Sequence, residues 1–311
     1  MSTENTRNAD VPTDRGRLRE LWEAYLPVWF VLPMTLFLVV VTFFPGLYNV
    51  YLSVTYWDLT NPELTGTFVG LENFVDAWGR GSTWVSVRNT LVFVVGSLAL
   101  QTTIGFTLAA LVAGVTNRMR TIYRIGFILP MAAAPVALAT MGRIMLNQEI
   151  GVIPHLIETA LPVSSPAFLS GQYALLTVIL VDTWNWVPFM FIVFYAGLTS
   201  VPADLKEAAK VDGAPLWRIY AHVIIPYMKP LIFVAVLIRT IDLFREFGLV
   251  YSLTGGGPGT ASRLLSIQVF EMGFIGSNLG TAAAVSIVYL IFVIALCTIA
   301  IISVGFEGVM D

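Results

Sequence analysis

The sequence predicts an all-α, polytopic membrane protein with about six transmembrane helices. Of its 311 residues, 57% are hydrophobic and only 12% are charged, and the mean hydropathy is +0.78. Soluble domains carry about 25% charged residues, and the deficit here extends along the whole chain, as bilayer spans require. The apolar stretches long enough to span a bilayer are Val28–Val50, Leu91–Val115, Tyr123–Met145, Tyr173–Leu198, Pro230–Tyr251 and Gly280–Phe306.

The composition argues against several classes of function. A formal net charge of −3 provides no basic field for nucleic acid. The single cysteine, Cys297, leaves neither disulfides nor a cysteine-ligated metal cluster, and His155 and His222 are far apart in the sequence. A membrane-embedded enzyme would need His, Asp, Glu or Cys residues that converge near one interface, and the sequence offers no such group. We therefore expect no catalytic residue, metal or cofactor in this chain.

The distribution of basic residues predicts the orientation. Arginines are concentrated before the first apolar stretch, and basic residues recur at 118–124 and 206–229, whereas residues 147–172 contain none. Because basic loops stay in the cytoplasm, we expect both termini and the loop 200–229 on the cytoplasmic side of the membrane. The expected divisions are a polar cytoplasmic segment (1–25), a transmembrane domain (26–306) and a short cytoplasmic tail (307–311).

Charged residues, a glycine and three prolines interrupt the apolar sequence in the loop 200–229. Pro202 suits a helix start and Gly213 a helix end, which predicts one helix of about 11 residues between them. Gly213 also permits a sharp turn before a second helix that opens at Pro215. The first helix should present one face made of Leu205, Ala208 and Ala209. The second should present Trp217, Tyr220, Ala221 and Ile224 along one side, until Pro226 interrupts it.

A helix this short is marginal in water by itself. Two interpretations remain open from the physics alone: a surface helix that lies on the inner leaflet, or a helix that docks into the groove of a partner protein.

The segment "EAAKVDGAPLWRIYAHVIIP" resembles the signature of permease subunits from binding-protein-dependent ABC importers. In that family this loop is the coupling helix, which sits in a cleft of the cytoplasmic ATPase. The resemblance implies that ATP and magnesium bind to partner ATPase subunits, since this chain contains no Walker A sequence. The residues that match the motif are Glu207, Ala208, Ala209, Asp212, Gly213 and Pro226, and Leu205 and Trp217 are expected to share their coupling role.

Two further segments resemble carbohydrate and glycerol-3-phosphate permeases of the maltose type. These are "FVGLENF" (Phe68–Phe74) and "RTIDLFREFGLVYSLTGGGPG" (Arg239–Gly259), and the second is similar to the first of two unlike permeases in such importers. The resemblance implies three kinds of protein partner: a second permease, two cytoplasmic ATPase subunits and an extracytoplasmic solute-binding protein. It also implies that the permeases lie in the lipid bilayer of a prokaryotic plasma membrane. The glycine run at the end of the second segment, residues 255–259, lacks a following Lys-Ser/Thr pair. This predicts a turn and no nucleotide site.

Ionisable residues inside apolar stretches are the candidates for a solute path. The fourth stretch contains Asp182, Asn185 and Trp186, which suit sugar hydroxyls and the apolar face of a pyranose. The fifth contains Arg239, Asp242 and Arg245. The alternative is structural: interhelical hydrogen bonds in the fourth stretch, and in the fifth a self-neutralising network in which Asp242 pairs with Arg239 or Arg245.

The expected function is therefore translocation of a carbohydrate or related polyol by an ATP-driven importer. An ion-gradient-driven secondary transporter, with the charged fifth helix as its relay, is the alternative that the sequence leaves open.

Overall fold

The computed structural model describes residues 14–58, 60, 62–115 and 117–304, and most of them are helical. Within these ranges there is no β-strand, and only two isolated bridges occur, Thr55 with Phe68 and Asp58 with Asn278. The predicted tail at 307–311 and most of the polar part of the N-terminal segment lie outside the described residues. The α-helices are α1 (Asp14–Ser53), α2 (Glu72–Gly79), α3 (Gly81–Ala113), α4 (Asn117–Ile128), α5 (Pro135–Met145), α6 (Val152–Ala160), α7 (Ala174–Ser200), α8 (Ala203–Val211), α9 (Leu216–Ile219), α10 (Ile225–Arg245), α11 (Gly248–Thr254), α12 (Leu265–Phe270) and α13 (Leu279–Val304).

The contacts divide the chain into two units, residues 1–51 and residues 52–311. The first contains all but the last two residues of α1, whose segment Val28–Ser53 is long and apolar. The second contains the remaining helices, and the functional candidates named above all belong to it.

Five helices among the described residues are long and apolar enough to cross a bilayer, which confirms the predicted fold class. They are Val28–Ser53, Gly81–Ala113, Gly171–Ser200, Leu216–Arg245 and Leu279–Ser303. A sixth span is present if the bent pair Thr121–Ala132 and Pro135–Met145 is counted as one.

The third apolar stretch is bent, and its prediction as one continuous helix is wrong. Its halves, α4 with a short 3-10 turn and then α5, meet at an angle of 88°. The bend follows from proline chemistry, because Pro135 disfavours a helical conformation at the residue before it. Ala133 and Ala134 are accordingly extended, with ψ angles of 134° and 131°.

The fifth span also differs from its prediction at both ends. Pro226 does not interrupt the helix, because a π-helical turn at Tyr220–Ile224 joins α9 to α10 and gives a continuous helix from Leu216 to Arg245. A π turn pairs each carbonyl with the amide five residues on, so it inserts one extra residue into the helix. At the other end the helix stops at Arg245 instead of continuing to Tyr251, because Glu246 is extended.

The most extensive helix pair in the described chain is that of α3 and α7. Gly105 allows this close approach, since a Cβ atom there would lie 2.6 Å from the Cβ of Met190. The two larger apolar clusters of the described bundle lie around Phe93 and Leu243 and around Phe194 and Met228, and a smaller one lies around Leu265. The bundle thereby holds α7 and α10, which carry the path candidates, side by side.

Candidate functional site

The loop after α7 contains the predicted short helix, with nine residues where about 11 were expected. Helix α8 begins after Pro202, and Gly213 follows it in the left-handed conformation, at a φ angle of +71°. The Ala214 amide donates to the Ala209 carbonyl at 3.0 Å, which closes the turn. Because a side chain is strained at positive φ, glycine suits this turn.

One side of α8 faces the bundle and the other is exposed. Ala209 is half-buried against the apolar cluster around Phe194, whereas Glu207 and Ala208 are exposed. Leu205 is 44% exposed, even though its hydrophobic side chain would favour burial. The predicted face is therefore divided, because Ala209 packs inward while Leu205 and Ala208 remain available to another molecule.

A groove of about 490 Å³ lies next to α8. Trp217 is exposed on its wall, with the Arg218 guanidinium carbon 5.2 Å from its ring centre. Asp212 and Pro226 are exposed as well. The residues that line the groove are Ala209, Ala214, Trp217, Arg218, Ile219, His222 and Val223.

Lys206 fixes α8 to the end of α7, and sequence reasoning missed this contact. Its ammonium donates to the Leu198 carbonyl at 3.0 Å, which satisfies one of the unpaired carbonyls of the last turn of α7. Burial, with a smaller effect from Lys210, lowers the pKa of Lys206. A basic residue soon after a helix end is the signal that could have predicted this contact.

Deep in the bundle, three side chains from three helices form a closed polar network. The Arg239 guanidinium donates through Nη2 to both Asp182 oxygens, at 2.7 and 2.8 Å, and through Nε to the Gln101 carbonyl oxygen at 2.7 Å. Gln101 in turn donates to Asp182 at 2.7 Å. All three residues are fully buried, so the network joins α3, α7 and α10 away from solvent.

This network corrects one predicted pairing. Arg239 forms its ion pair with Asp182 on α7, and not with Asp242 on its own helix. Within the described residues Asp242 is half-buried and Arg245 is exposed, and neither joins the network. Gln101 was not predicted at all, although an amide inside a span is a candidate for interhelical hydrogen bonding.

Trp186 and Asn185 lie next to the network. The Arg239 guanidinium carbon is 4.4 Å from the centre of the half-buried Trp186 ring, a cation–π contact. Asn185 is buried and donates to the Pro130 carbonyl at 3.1 Å, which ties α7 to the bend of the third stretch. Asp182, Asn185 and Arg239 thus have the geometry of interhelical bonding, and their contact with a solute stays a prediction.

At the end of the bundle away from α8, the "FVGLENF" segment forms a clamp. The Asn73 amide donates to the Ser53 and Thr55 carbonyls, both at 2.9 Å. Gly280 packs directly on it, since a Cβ atom there would lie 2.8 Å from the Thr55 oxygen. The glycine run 255–259 is a turn, as predicted, and the Asn89 amide donates to the nearby Thr260 carbonyl at 2.8 Å.

Among the described residues, no group of three or more His, Cys, Asp or Glu side chains has the arrangement of a metal site.

Comparison with known proteins gives a consistent family. Residues 101–306 match the family described as "Binding-protein-dependent transport system inner membrane component". The chain belongs to this family. The "sn-glycerol-3-phosphate transport system permease protein UgpA" of Agrobacterium fabrum is 31% identical to this chain, and the alignment covers 87% of this chain and 92% of that protein. The "Trehalose/maltose transport system permease protein MalF" of Thermococcus litoralis is 32% identical over 91% of this chain and 94% of its own.

A solved structure supports the fold. One chain of a bacterial ABC transporter "involved in the import of the acidic polysaccharide alginate" superposes with a TM-score of 0.77, covering 91% of this chain and 96% of that one. At 20% identity this likeness concerns the fold alone. The family assignment and these relatives identify the chain as a membrane permease of the ABC transporter class.

Proposed function

We propose that this chain is a permease subunit of an ATP-driven importer that moves a carbohydrate or a related polyol into the cell. The curated relatives are named for glycerol-3-phosphate and for trehalose and maltose, which supports this solute class. The importer would comprise a second permease, two ATPase subunits that bind ATP and magnesium, and an extracytoplasmic solute-binding protein.

The observation that carries the proposal is the construction of α8. Lys206 and Ala209 hold one side of this short helix to the bundle, while Leu205, Glu207 and Ala208 leave the other side open. A helix that is fixed on one side and exposes apolar side chains such as Leu205 and Ala208 on the other suits docking into a groove. In this proposal α8 faces the cytoplasm and transmits the movement of the ATPase to α7 and α10.

Trp186 is the best-placed candidate for solute contact in this proposal. Its ring is held on one face by Arg239 and is half-buried, whereas Asp182, Asn185 and Arg239 are buried and bonded to other helices. An indole face suits the apolar face of a sugar ring. Asp242 stays a candidate for the wall of the path, and Arg245 lines a different groove, described below.

The test replaces Ala208 with glutamate in the reconstituted importer and measures solute-stimulated ATP hydrolysis. A carboxylate buried in the ATPase groove would be unpaired, which costs several kcal/mol. We expect stimulation to fall by about tenfold or more, with normal thermal unfolding of the permease. The control Ala160→Glu adds the same charge to the exposed last residue of α6 and should leave stimulation unchanged.

A normal response of Ala208→Glu would refute the coupling role of α8. Uptake by vesicles that contain this chain alone, without ATP but with an ion gradient, would favour the secondary transporter instead.

A further inference from the structure

An apolar groove runs along the side of the bundle between α10, α12 and α13. Its volume is about 670 Å³. Leu290 and Ile294 expose more than half of their surface along it, so the groove is open sideways. On a helix that spans a bilayer, an open apolar groove is filled by lipid chains or by another apolar helix. The apolar lining includes Ile241, Phe244, Val269, Leu290, Val293 and Ile294.

One end of this groove carries a positive charge. Arg245, the last residue of α10, lines the groove and is exposed. Within the described residues it has no ion-pair partner, whereas Arg239 and Arg263 each have a carboxylate. A guanidinium presents parallel donors that match a phosphate group. The free cation therefore calls for an anionic ligand.

The length of the groove matches one leaflet of a bilayer. Along α13 the lining extends from Ser286 to Cys297, which is about 16 Å at 1.5 Å per residue. The hydrocarbon core of a bilayer is about 30 Å thick, so one leaflet is about 15 Å deep. Arg245 is the last residue of its span, and along α13 Cys297 lies about one leaflet's depth from Ser286.

We propose that the groove binds a phospholipid from the leaflet on the side opposite to α8. The headgroup phosphate contacts Arg245, and one acyl chain lies along Leu290, Val293 and Cys297. A lipid with net negative charge binds best, because the ammonium of a zwitterionic headgroup competes with Arg245 for the phosphate. This assignment is independent of the solute that the importer carries.

A helix of another subunit is the main competing occupant. It would fill the apolar trough equally well, but it would need an acidic side chain placed at the level of Arg245. A phospholipid supplies the anion and the apolar chain in one molecule, with the spacing that the groove shows.

Photo-cross-linking tests the proposal on the full-length chain together with the subunits that copurify with it. The complex is placed in phosphatidylcholine bilayers that contain a trace of phosphatidylglycerol with a diazirine at the end of one acyl chain. We expect adducts on residues 290–297, mapped by mass spectrometry. Arg245→Gln should lower their yield by about fivefold, the order expected for one cationic side chain near a headgroup.

Two further variants separate the effect of the Arg245 charge from the effect of the apolar groove. Val293→Trp fills the groove and keeps Arg245. It should therefore abolish adducts from the phosphatidylglycerol probe and from a phosphatidylcholine probe that carries the same diazirine. Arg143→Gln removes an exposed arginine near the end of α5 and should leave the yield unchanged. Thermal unfolding of each variant confirms that the fold is intact.

Three results would overturn the proposal. Equal yields from the wild type and Arg245→Gln would remove the headgroup contact. Adducts that form with the isolated chain but disappear in the copurified complex would assign the groove to another subunit. Competition by excess soluble sn-glycerol 3-phosphate would assign it to a solute.

Discussion

At the scale of single residues, the buried contact between Arg239 and Asp182 dominates the interior. Two charges without access to water depend on the hydrogen bonds that they receive. Gln101 supplies two of these bonds from a third helix, accepting from Nε of the arginine and donating to the aspartate, while Nη1 of the arginine has no hydrogen-bond partner among the described residues. One carboxamide therefore serves both partners of the pair.

Arg239→Met should destabilise the protein by about 3–5 kcal/mol, because it leaves the Asp182 carboxylate buried without its cation. The double variant Arg239→Met/Asp182→Leu should recover much of that loss, since no buried charge remains. Thermal unfolding in detergent measures both.

The control for this cycle is Arg80→Met, at the exposed ion pair with Asp76. Solvent screens that pair, so its loss should change stability by less than about 1 kcal/mol. If Arg80→Met and Arg239→Met lowered stability by the same amount, the larger contribution expected of the buried pair would be refuted.

The site was only partly predictable at this scale. The sequence identified Asp182 and Arg239 as functional candidates because ionisable groups are costly inside a span. It offered Arg239 or Arg245 as the partner of Asp242, since helical spacing reports only neighbours on the same helix. The actual partner of Arg239 is Asp182, which is 57 positions away in the sequence. Gln101 reaches this pair because α3 packs closely against α7 at Gly105, and helical spacing does not report such tertiary packing.

At the scale of elements, the clamp at Asn73 joins the start of α13 to residues 53–55, where the first span ends. Gly280→Ala should lower stability by about 1–3 kcal/mol, because the added methyl group would lie 2.8 Å from the Thr55 oxygen and 2.9 Å from the Asn73 amide nitrogen. Loss of hydrogen-exchange protection around residues 52–58 reports where the damage occurs.

Gly81→Ala is the matched control, since Gly81 is the first residue of α3 and its added Cβ would meet no atom within 4 Å. Its substitution should be neutral or stabilise the protein by up to about 1 kcal/mol. Equal destabilisation by both variants would contradict the clamp.

Hydropathy predicted where most spans lie, because apolar length is a direct requirement of the bilayer. It could not predict the bend after Ala132 or the passage of the helix through Pro226. Both depend on how prolines are accommodated: extended residues precede Pro135, whereas a wide turn precedes Pro226. Composition alone does not distinguish these outcomes.

At the scale of the whole molecule, the bent third stretch decides the number of crossings. We expect it to cross, so that Gly114 and Ala160 lie on opposite sides of the membrane. Single cysteines at these two positions, introduced after Cys297→Ala, should react with a membrane-impermeant maleimide from opposite sides.

Gly114 suits this substitution because its backbone is right-handed helical and its added Cβ would make only an ordinary contact of 3.5 Å. Labelling of both cysteines from the same side would show that the bent pair re-enters the side from which it came, leaving five spans. A cysteine in place of exposed Val211 serves as the reference, since α7 separates it from Ala160.

The π-helical turn at Tyr220–Ile224 sets how far α9, which follows the loop of α8, is rotated about the helix axis relative to α10. It stores one residue more than an ordinary helical turn, and each residue of an α-helix corresponds to about 100° of rotation and 1.5 Å of advance. Removing that residue would swing Trp217 to another side of the helix axis while α10 stayed in place. The direction in which Trp217 points relative to α10 is thus fixed by one extra residue.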